Sequence, residues 1–230
     1  MQILRIDPSR EDVPRRAVQA LLGGGLVAFP TDTYYALGAV AQNEEAVARV
    51  FAAKGRPPGS PLPVLVADRE QWRAVAAEIP VAARSLADRF WPGALTIVCR
   101  RAPYLPSVLT GGSDTIGVRL PNTPVAIGFC RALGMAITGT SANVHGSPPP
   151  ISAVQVALGL GGGVDIILDG GHCTAVRPST VIDVTRTPAL IVREGVVSAD
   201  AIRAVIGDVQ ILPPPVAQQA PLTEARVQVR

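Results

Sequence analysis

The segment LVAFPTDTYYALG at residues 26–38 decides the predicted fold, because an apolar run ends there in a cluster of small polar side chains. The run at 26–29 follows the glycines at 23–25, a pattern typical of a strand that begins where a helix has stopped. Three small polar residues stand at 31–33, and two of the chain's three tyrosines come next. The segment therefore predicts a buried strand that leads into a ligand-binding loop.

Length and composition predict one globular domain with a mildly basic charge. The 230 residues are 48% hydrophobic, which is enough for one sizeable core. Residues 1–212 are assigned to this domain, and the Pro-, Gln- and Ala-rich residues 213–230 to a flexible tail. A net charge of +3 favours an anionic ligand but falls short of the dense basic stripe of a dedicated nucleic-acid binder.

The cysteines and the apolar runs predict a cytoplasmic protein. Cys99, Cys130 and Cys173 are odd in number and widely spaced, so they favour neither a disulfide framework nor a zinc site. No apolar run is long enough to span a bilayer, and the first residues lack the features of a signal peptide.

Short apolar runs alternate with helix-like segments, which predicts an α/β fold. Asn43, Asp68 and Thr123 are predicted helix N-caps. Several strands lack an intervening helix, so we expect a mixed sheet. Strands are predicted at 26–29, 61–66, 95–100, 115–120, 135–138, 166–168, 179–184 and 189–193. Helices are predicted at 13–21, 44–54, 81–89, 124–133, 152–158 and 198–205, and a further helix is expected to follow Asp68, whose spacing to Gln71 resembles a capping box.

Two polar segments are candidates for ligand binding. In AAKGRPPGSPLP (52–63), Lys54 and Arg56 could bind an oligophosphate. Alternatively, they could simply stabilise the C-terminal end of a helix, where the helix dipole favours positive charge. In ITGTSANVHGSPPP (137–150), hydroxyls and amides follow a strand and could bind a ligand or form an ordinary turn. Arg119 and Arg193 end two strands and could point into one cleft.

Two other classes of site are disfavoured by the sequence. Ser141 lies in no G-x-S-x-G motif, and only His145 and His172 are available as bases, so a serine hydrolase fits poorly. The glycine runs at 23–25 and 161–163 precede strands instead of following them, so they are turns and not phosphate-binding loops.

The order of the motifs along the chain resembles the YrdC-like family of threonylcarbamoyl-adenylate synthases. The motifs are P-T-D-T-x-Y-x-L-G, K-x-R-P, S-P-L, F-W-P-G-x-L-T, G-V-R-x-P, T-S-A-N, S-T-V-I-D and R-x-G. The resemblance as a whole covers roughly residues 12–205. The resemblance implies a twisted mixed sheet flanked by helices around a large basic cavity. It implies an enzyme that joins L-threonine, bicarbonate or CO₂, and ATP with Mg²⁺ into threonylcarbamoyl-adenylate. A partner transferase would pass the threonylcarbamoyl group to tRNA, giving threonylcarbamoyladenosine.

The same resemblance implies roles for individual residues. Lys54 and Arg56 match the catalytic positions that meet the ATP phosphates. The other positions matched to the nucleotide are Ser60, Thr115, Ser141, Asn143, Pro149 and Arg193. The positions matched to the amino acid are Thr33, Arg119, Gly139 and Ser179.

The chain departs from the family pattern at several positions, which leaves alternatives open. Leu65 stands where the family has a histidine that reaches the substrate threonine, so a polar group of the pocket is lost. Tyr34, Ala36 and Ala94 also depart, and the Tyr34 hydroxyl could rebuild the pocket. The alternatives are a divergent paralogue that forms a carbamoyl-adenylate from another donor, and a binding module for RNA or nucleotide without turnover.

Overall fold

Two mixed β-sheets form the frame of the protein in the computed structural model, which describes residues 1–174 and 177–213. Apart from Pro213, the tail expected at 213–230 lies outside the described residues. The strands are β1 (Gln2–Arg5), β2 (Val27–Phe29), β3 (Ala36–Gly38), β4 (Val64–Leu65), β5 (Ala76–Glu78), β6 (Leu95–Arg101), β7 (Thr115–Arg119), β8 (Ile137–Thr138), β9 (Thr140–Ser141), β10 (Ile166–Asp169), β11 (Thr180–Asp183), β12 (Ala189–Arg193) and β13 (Val209–Ile211).

The smaller sheet has the order β1-β10-β2-β3-β9, and the larger has β13-β12-β11-β6-β7-β4-β8 with β5 paired to β6. Both sheets combine parallel and antiparallel pairs: β1, β10 and β2 run parallel, whereas β3 is antiparallel to both of its neighbours. The prediction of a mixed sheet is therefore confirmed.

Helices cover the sheets at the places that the sequence predicts. They are α1 (Arg15–Leu22), α2 (Glu44–Lys54), α3 (Arg69–Val75), α4 (Val81–Phe90), α5 (Pro124–Leu133), α6 (Ala153–Leu160) and α7 (Ala199–Ile206), with short 3₁₀ turns at Ser107–Thr110 and Gly161–Gly163. Among the described residues, no helix is both long and apolar enough to cross a membrane.

The predicted caps are correct at two helices and differ at the third. The side-chain amide oxygen of Asn43 accepts from the N–H of Ala46 at 3.0 Å, and the Asp68 carboxylate accepts from the N–H of Gln71 at 2.9 Å. Thr123 occupies the N-cap position of α5 but makes no capping bond with its side chain. Its hydroxyl instead donates to Asp32 at 3.4 Å, so a long-range contact replaces the local one.

The short strands are where the structure differs most from the predictions. The strand expected at 61–66 shrinks to Val64–Leu65, because Pro61 and Pro63 have no N–H to donate to a neighbouring strand. The residues after the polar loop form β3, which pairs Ala36 with Phe29, so the loop at 30–35 is the turn of a hairpin. That hairpin places the loop over the larger sheet.

Candidate active site

A cavity of about 680 Å³ opens between the two sheets. Its volume lies in the range usual for small-molecule and cofactor sites. The larger sheet and the residues that flank its strands contribute Pro63, Leu65, Thr96, Val98, Thr115, Gly117, Arg119, Ser179, Val181, Val192 and Arg193. The smaller sheet and its loops contribute Thr31, Thr33, Tyr34, Tyr35, Ala36, Thr140, Ser141, Asn143, Ser147 and Pro149.

The β2–β3 hairpin presents hydroxyl groups that are ordered by their own hydrogen bonds. The hydroxyls of Thr31 and Thr33 lie 3.0 Å apart, and that of Thr31 donates to the carbonyl of Tyr34 at 2.7 Å. Because a hydroxyl carries one proton, Thr33 is the donor between the two threonines. The Tyr35 side chain is fully buried, its hydroxyl donates to the carbonyl of Gly171 at 2.7 Å, and burial raises the pKa of Tyr35 to about 12.

The guanidinium of Arg119 is held on three sides at the end of β7. It donates to Asp32 at 2.6 Å, to the Thr33 hydroxyl at 3.1 Å and to the carbonyl of Gly93 at 2.9 Å. The Arg119 and Asp32 side chains are only 7% and 17% exposed. A buried, hydrogen-bonded ion pair of this kind fixes the position of both groups. The arginine therefore reaches the cavity wall in a defined orientation.

Lys54, the last residue of α2, is buried beneath the loop that follows β9. Its ammonium donates to the carbonyl of Ser141, to the carbonyl of Asn143 at 2.7 Å and to the side-chain oxygen of Asn143 at 3.3 Å. Burial, with a smaller effect of the positive charge on Arg56, lowers the pKa of Lys54 to about 8. The lysine thus supports the cavity wall from behind and is not part of its lining.

Arg56 leaves the end of α2 and lines the cavity. Its guanidinium donates to the carbonyl of Pro61 at 3.1 Å, which anchors the arginine to the proline-rich loop. Ser60 belongs to the same loop but is not part of the cavity lining. The chain turns between them at Gly59, whose φ of +90° is a conformation that glycine adopts without strain.

Arg193, the last residue of β12, adjoins Ser179, the residue just before β11. The Arg193 guanidinium donates to the Ser179 carbonyl at 2.9 Å and to its hydroxyl at 3.3 Å, and the Ser179 hydroxyl lies 3.0 Å from that of Thr96. A side chain at position 195 would place its Cβ 2.1 Å from the carbonyl oxygen of Pro178, so only Gly195 permits this close approach.

Three arginines, Arg56, Arg119 and Arg193, face one cavity and interact electrostatically. Burial lowers the pKa of Arg56. Burial, followed by the positive charges on Arg119 and Arg56, lowers the pKa of Arg193, whereas Tyr34 acts in the opposite direction. Guanidinium groups that face each other across a cavity repel, and a polyanionic ligand would relieve that repulsion.

The structure gathers most of the predicted site residues around this cavity. Those that line it are Thr33, Arg56, Thr115, Arg119, Gly139, Ser141, Asn143, Pro149, Ser179 and Arg193. Lys54 and Ser60 do not line it, and their predicted contacts with phosphate stay predictions. The sequence analysis assigned no role to Asp32, although it lies inside the first motif. Its importance follows only from Arg119, which is 87 positions away along the chain.

Mg²⁺ binds oxygen ligands, usually one or two carboxylates together with phosphates and water. The described residues contain no group of three or more His, Cys, Asp or Glu side chains placed to bind a metal ion. Asp32, which neighbours the lining residues Thr31 and Thr33 in the chain, is paired with Arg119.

Comparisons with known proteins agree on one family. A family model named for Sua5, YciO and YrdC, and described as telomere recombination, matches residues 19–195. A threonylcarbamoyl-AMP synthase of Pyrococcus abyssi is 45% identical over 190 residues, which are 83% of this chain and 56% of that protein. The synthase of Bacillus subtilis is 38% identical over 85% of this chain and 57% of its own length. The chain thus spans little more than half the length of these relatives.

Solved structures give the same result. The crystal structure of P. abyssi Sua5 complexed with L-threonine aligns with a TM-score of 0.87 and 41% identity, covering 93% of this chain and 63% of that one. Escherichia coli YciO aligns with a TM-score of 0.77 and 29% identity, covering 87% of this chain and 98% of that one. The predicted fold, a twisted mixed sheet flanked by helices, is confirmed.

Proposed function

The chain belongs to the Sua5/YciO/YrdC family, and from that premise we propose that it is a threonylcarbamoyl-AMP synthase. It joins L-threonine, bicarbonate or CO₂, and ATP, and it releases pyrophosphate. The relatives that carry this name are longer than the chain, so its activity and its substrates are proposed here.

The observation that carries the proposal is the contact between the two groups of predicted site residues. Ser179 is predicted to face the amino acid and Arg193 the nucleotide, and the two are hydrogen-bonded at 2.9 Å. The reaction requires an amino-acid carbamate to lie beside the α-phosphorus of ATP. A cavity in which the two predicted subsites meet satisfies that requirement.

The chemistry needs positioning and charge neutralisation, and no nucleophilic side chain. The amine of threonine and CO₂ form a carbamate with loss of a proton. A carbamate oxygen then attacks the α-phosphorus, a new P–O bond forms, and the bond to pyrophosphate breaks. Arg56 and Arg193 would stabilise the negative charge on the phosphates, and the rigidly held Arg119 and Thr33 would orient the amino acid.

Cofactor, partners and location follow from this activity. Mg²⁺ would arrive as part of the ATP complex, held mainly by the phosphates. The product would pass to a transferase that modifies tRNA. RNA, if it binds directly, would use the arginines of the cavity and compete with ATP. We place this activity in the cytoplasm, where the three buried thiols would stay reduced.

Leu65 favours a second candidate, an adenylating enzyme that acts on a different amine or carbamoyl donor. The Leu65 side chain is 2% exposed and lines the cavity. In the parallel pairing of β4 with β7, Leu65 lies beside Arg119. An apolar side chain there cannot hydrogen-bond a substrate hydroxyl, so it lowers the selectivity for threonine over apolar amino acids.

The proposal is tested by incubating the purified chain with ATP, Mg²⁺, bicarbonate and a panel of amino acids, and measuring pyrophosphate release. We expect release that requires both bicarbonate and threonine and that falls by about a hundredfold in Arg56→Met, which removes a cavity cation. Arg203→Met is the control, because Arg203 lies on α7 outside the cavity lining. Release with another amine and not with threonine would establish the second candidate instead. No release with any amine would refute both.

A further inference from the structure

Lys54 is the only lysine in a chain that contains twenty arginines. It is also one of the largest fully buried side chains, with 2% exposure. A buried ammonium must be hydrogen-bonded, because an unpaired buried charge is strongly destabilising. The partners of Lys54 therefore indicate what the residue does.

The three donors of the ammonium are all used by the loop that follows β9. Two go to the carbonyls of Ser141 and Asn143, and the third reaches the side-chain oxygen of Asn143. An ammonium group has three N–H donors, so none is left over for a phosphate group in this arrangement. The carbonyl of Lys54 also accepts from the N–H of His145 at 2.7 Å, so the residue binds the loop through its backbone too.

The bonds of Lys54 set the orientation of the Asn143 side chain. The Ser141 hydroxyl donates to the Asn143 side-chain oxygen at 2.5 Å, on the same atom that Lys54 contacts. The Asn143 amide then donates to the carbonyl of Ser147 at 2.6 Å. Among the described residues, these hydrogen bonds join loop 141–147 to Lys54, which supplies the network with a positive charge.

The chemistry of the residue explains why a lysine is present here. Its three acceptors converge on one buried point, which suits a compact ammonium with rotating donors. A guanidinium is planar and larger, and suits two acceptors that lie in one plane, such as those of a phosphate. The cavity cations at 56, 119 and 193 are all arginines, as phosphate and carboxylate binding would favour.

We infer that Lys54 is a positioning residue: it holds loop 141–147 in its binding geometry before a ligand arrives, and it does not itself contact the phosphates. This inference rests on the proposed function, because the loop matters as the expected nucleotide site. The loop is then ordered when the protein folds, so binding does not carry the entropy cost of ordering it. This preorganisation raises the affinity for the nucleotide.

Hydrogen exchange of the ligand-free protein tests the inference directly. We expect Lys54→Met to make the amides of 141–147 exchange about tenfold faster, because several hydrogen bonds of the loop are lost. Arg56→Met is the matched control, since Arg56 lines the same cavity and makes no hydrogen bond to the loop. Unchanged exchange in folded Lys54→Met would overturn the inference.

A charge-preserving variant separates positioning from phosphate contact. Lys54→Arg keeps a cation at the position, so a residue that only contacted phosphate would retain most of its affinity for ATP. The inference predicts faster loop exchange and about tenfold weaker ATP binding in Lys54→Arg, measured by calorimetry. Unchanged loop exchange with unchanged ATP binding would contradict it. Should Lys54→Met fail to fold, Lys54→Gln, which keeps two donors, is predicted to show an intermediate exchange rate.

The outcome can be distinguished from failure of the proposed function. The exchange measurement contains no substrate, so it reports on Lys54 whether or not the chain makes threonylcarbamoyl-AMP. Faster loop exchange without any turnover would uphold the positioning role and refute the synthase. Turnover with unchanged loop exchange in the Lys54 variants would uphold the synthase and refute the positioning role.

Discussion

The carboxylate of Asp32 lies 2.6 Å from the guanidinium of Arg119, with both side chains almost buried. Asp32 comes from the turn of the β2–β3 hairpin and Arg119 from the end of β7, so this ion pair joins the two sheets across one side of the cavity. Removing one member of a buried pair leaves an uncompensated charge. The pair therefore supports both the stability of the fold and the geometry of the proposed amino-acid site.

Replacing Asp32 by Asn is predicted to lower the free energy of unfolding by about 3 kcal/mol, because the Arg119 charge loses its partner. The apparent KM for threonine should rise as the guanidinium becomes mobile. Chemical denaturation and steady-state kinetics check the two effects. Asp12→Asn is the control, because Asp12 forms an exposed pair with Arg10. Equal stability of the two variants would show that the pair is not structural.

Replacing Gly139 by Ala is predicted to lower the free energy of unfolding by about 1–3 kcal/mol, because the new Cβ would lie 2.6 Å from a methyl carbon of Leu65. In the variant that combines Gly139→Ala with Leu65→Ala, the loss should be smaller than the sum of the single losses. Gly159→Ala is the control: its Cβ meets nothing within 4 Å, and alanine favours a helix. Additive losses in the double variant would contradict the predicted clash.

The buried lysine predicts a dependence of stability on pH. Burial lowers the pKa of Lys54 to about 8, whereas an unburied lysine titrates near 10.5. Between these two values the unfolded chain binds more protons than the folded one, so the free energy of unfolding gains a rising contribution as pH increases. The contribution is absent from Lys54→Met. Denaturation curves of both proteins across this window check the difference, and parallel pH profiles would contradict the lowered pKa.

Tyr34 is predicted to contribute a hydrogen bond to the amino-acid substrate. Its side chain lines the cavity and lies near enough to Arg193 to affect the pKa of that guanidinium. Tyr34→Phe should raise the KM for threonine about fivefold with little change in kcat, since one hydrogen bond is lost. Tyr104→Phe, which changes an exposed side chain, is the control. An unchanged KM would exclude the tyrosine from substrate recognition.

The helices were predictable from the sequence because their signals are local. Asn43 and Asp68 cap the helices that follow them, and the apolar residues of these helices repeat at helical spacing. Strands of two or three residues, such as β3 and β9, are too short to show an alternating pattern, and they are stabilised by pairing with each other. Their positions depend on tertiary structure and were missed.

The candidate site shows the same division between local and long-range information. Arg56, Ser141 and Arg193 could be proposed because small polar or basic residues stand at the ends of helices and strands. The partners of Lys54 could not be predicted from the sequence, because the carbonyls that it contacts lie 87 and 89 positions away along the chain. Backbone carbonyls carry no residue-specific signal, so only the folded chain reveals this contact.

The most direct test of the proposed activity follows isotopically labelled bicarbonate into a product. The chain is incubated with ATP, Mg²⁺, L-threonine and the labelled bicarbonate, and the products are separated and identified by mass spectrometry. The account predicts threonylcarbamoyl-AMP that carries the label, formed together with pyrophosphate and absent when any one substrate is omitted. ATP binding to the cavity without a labelled adenylate of threonine would contradict it.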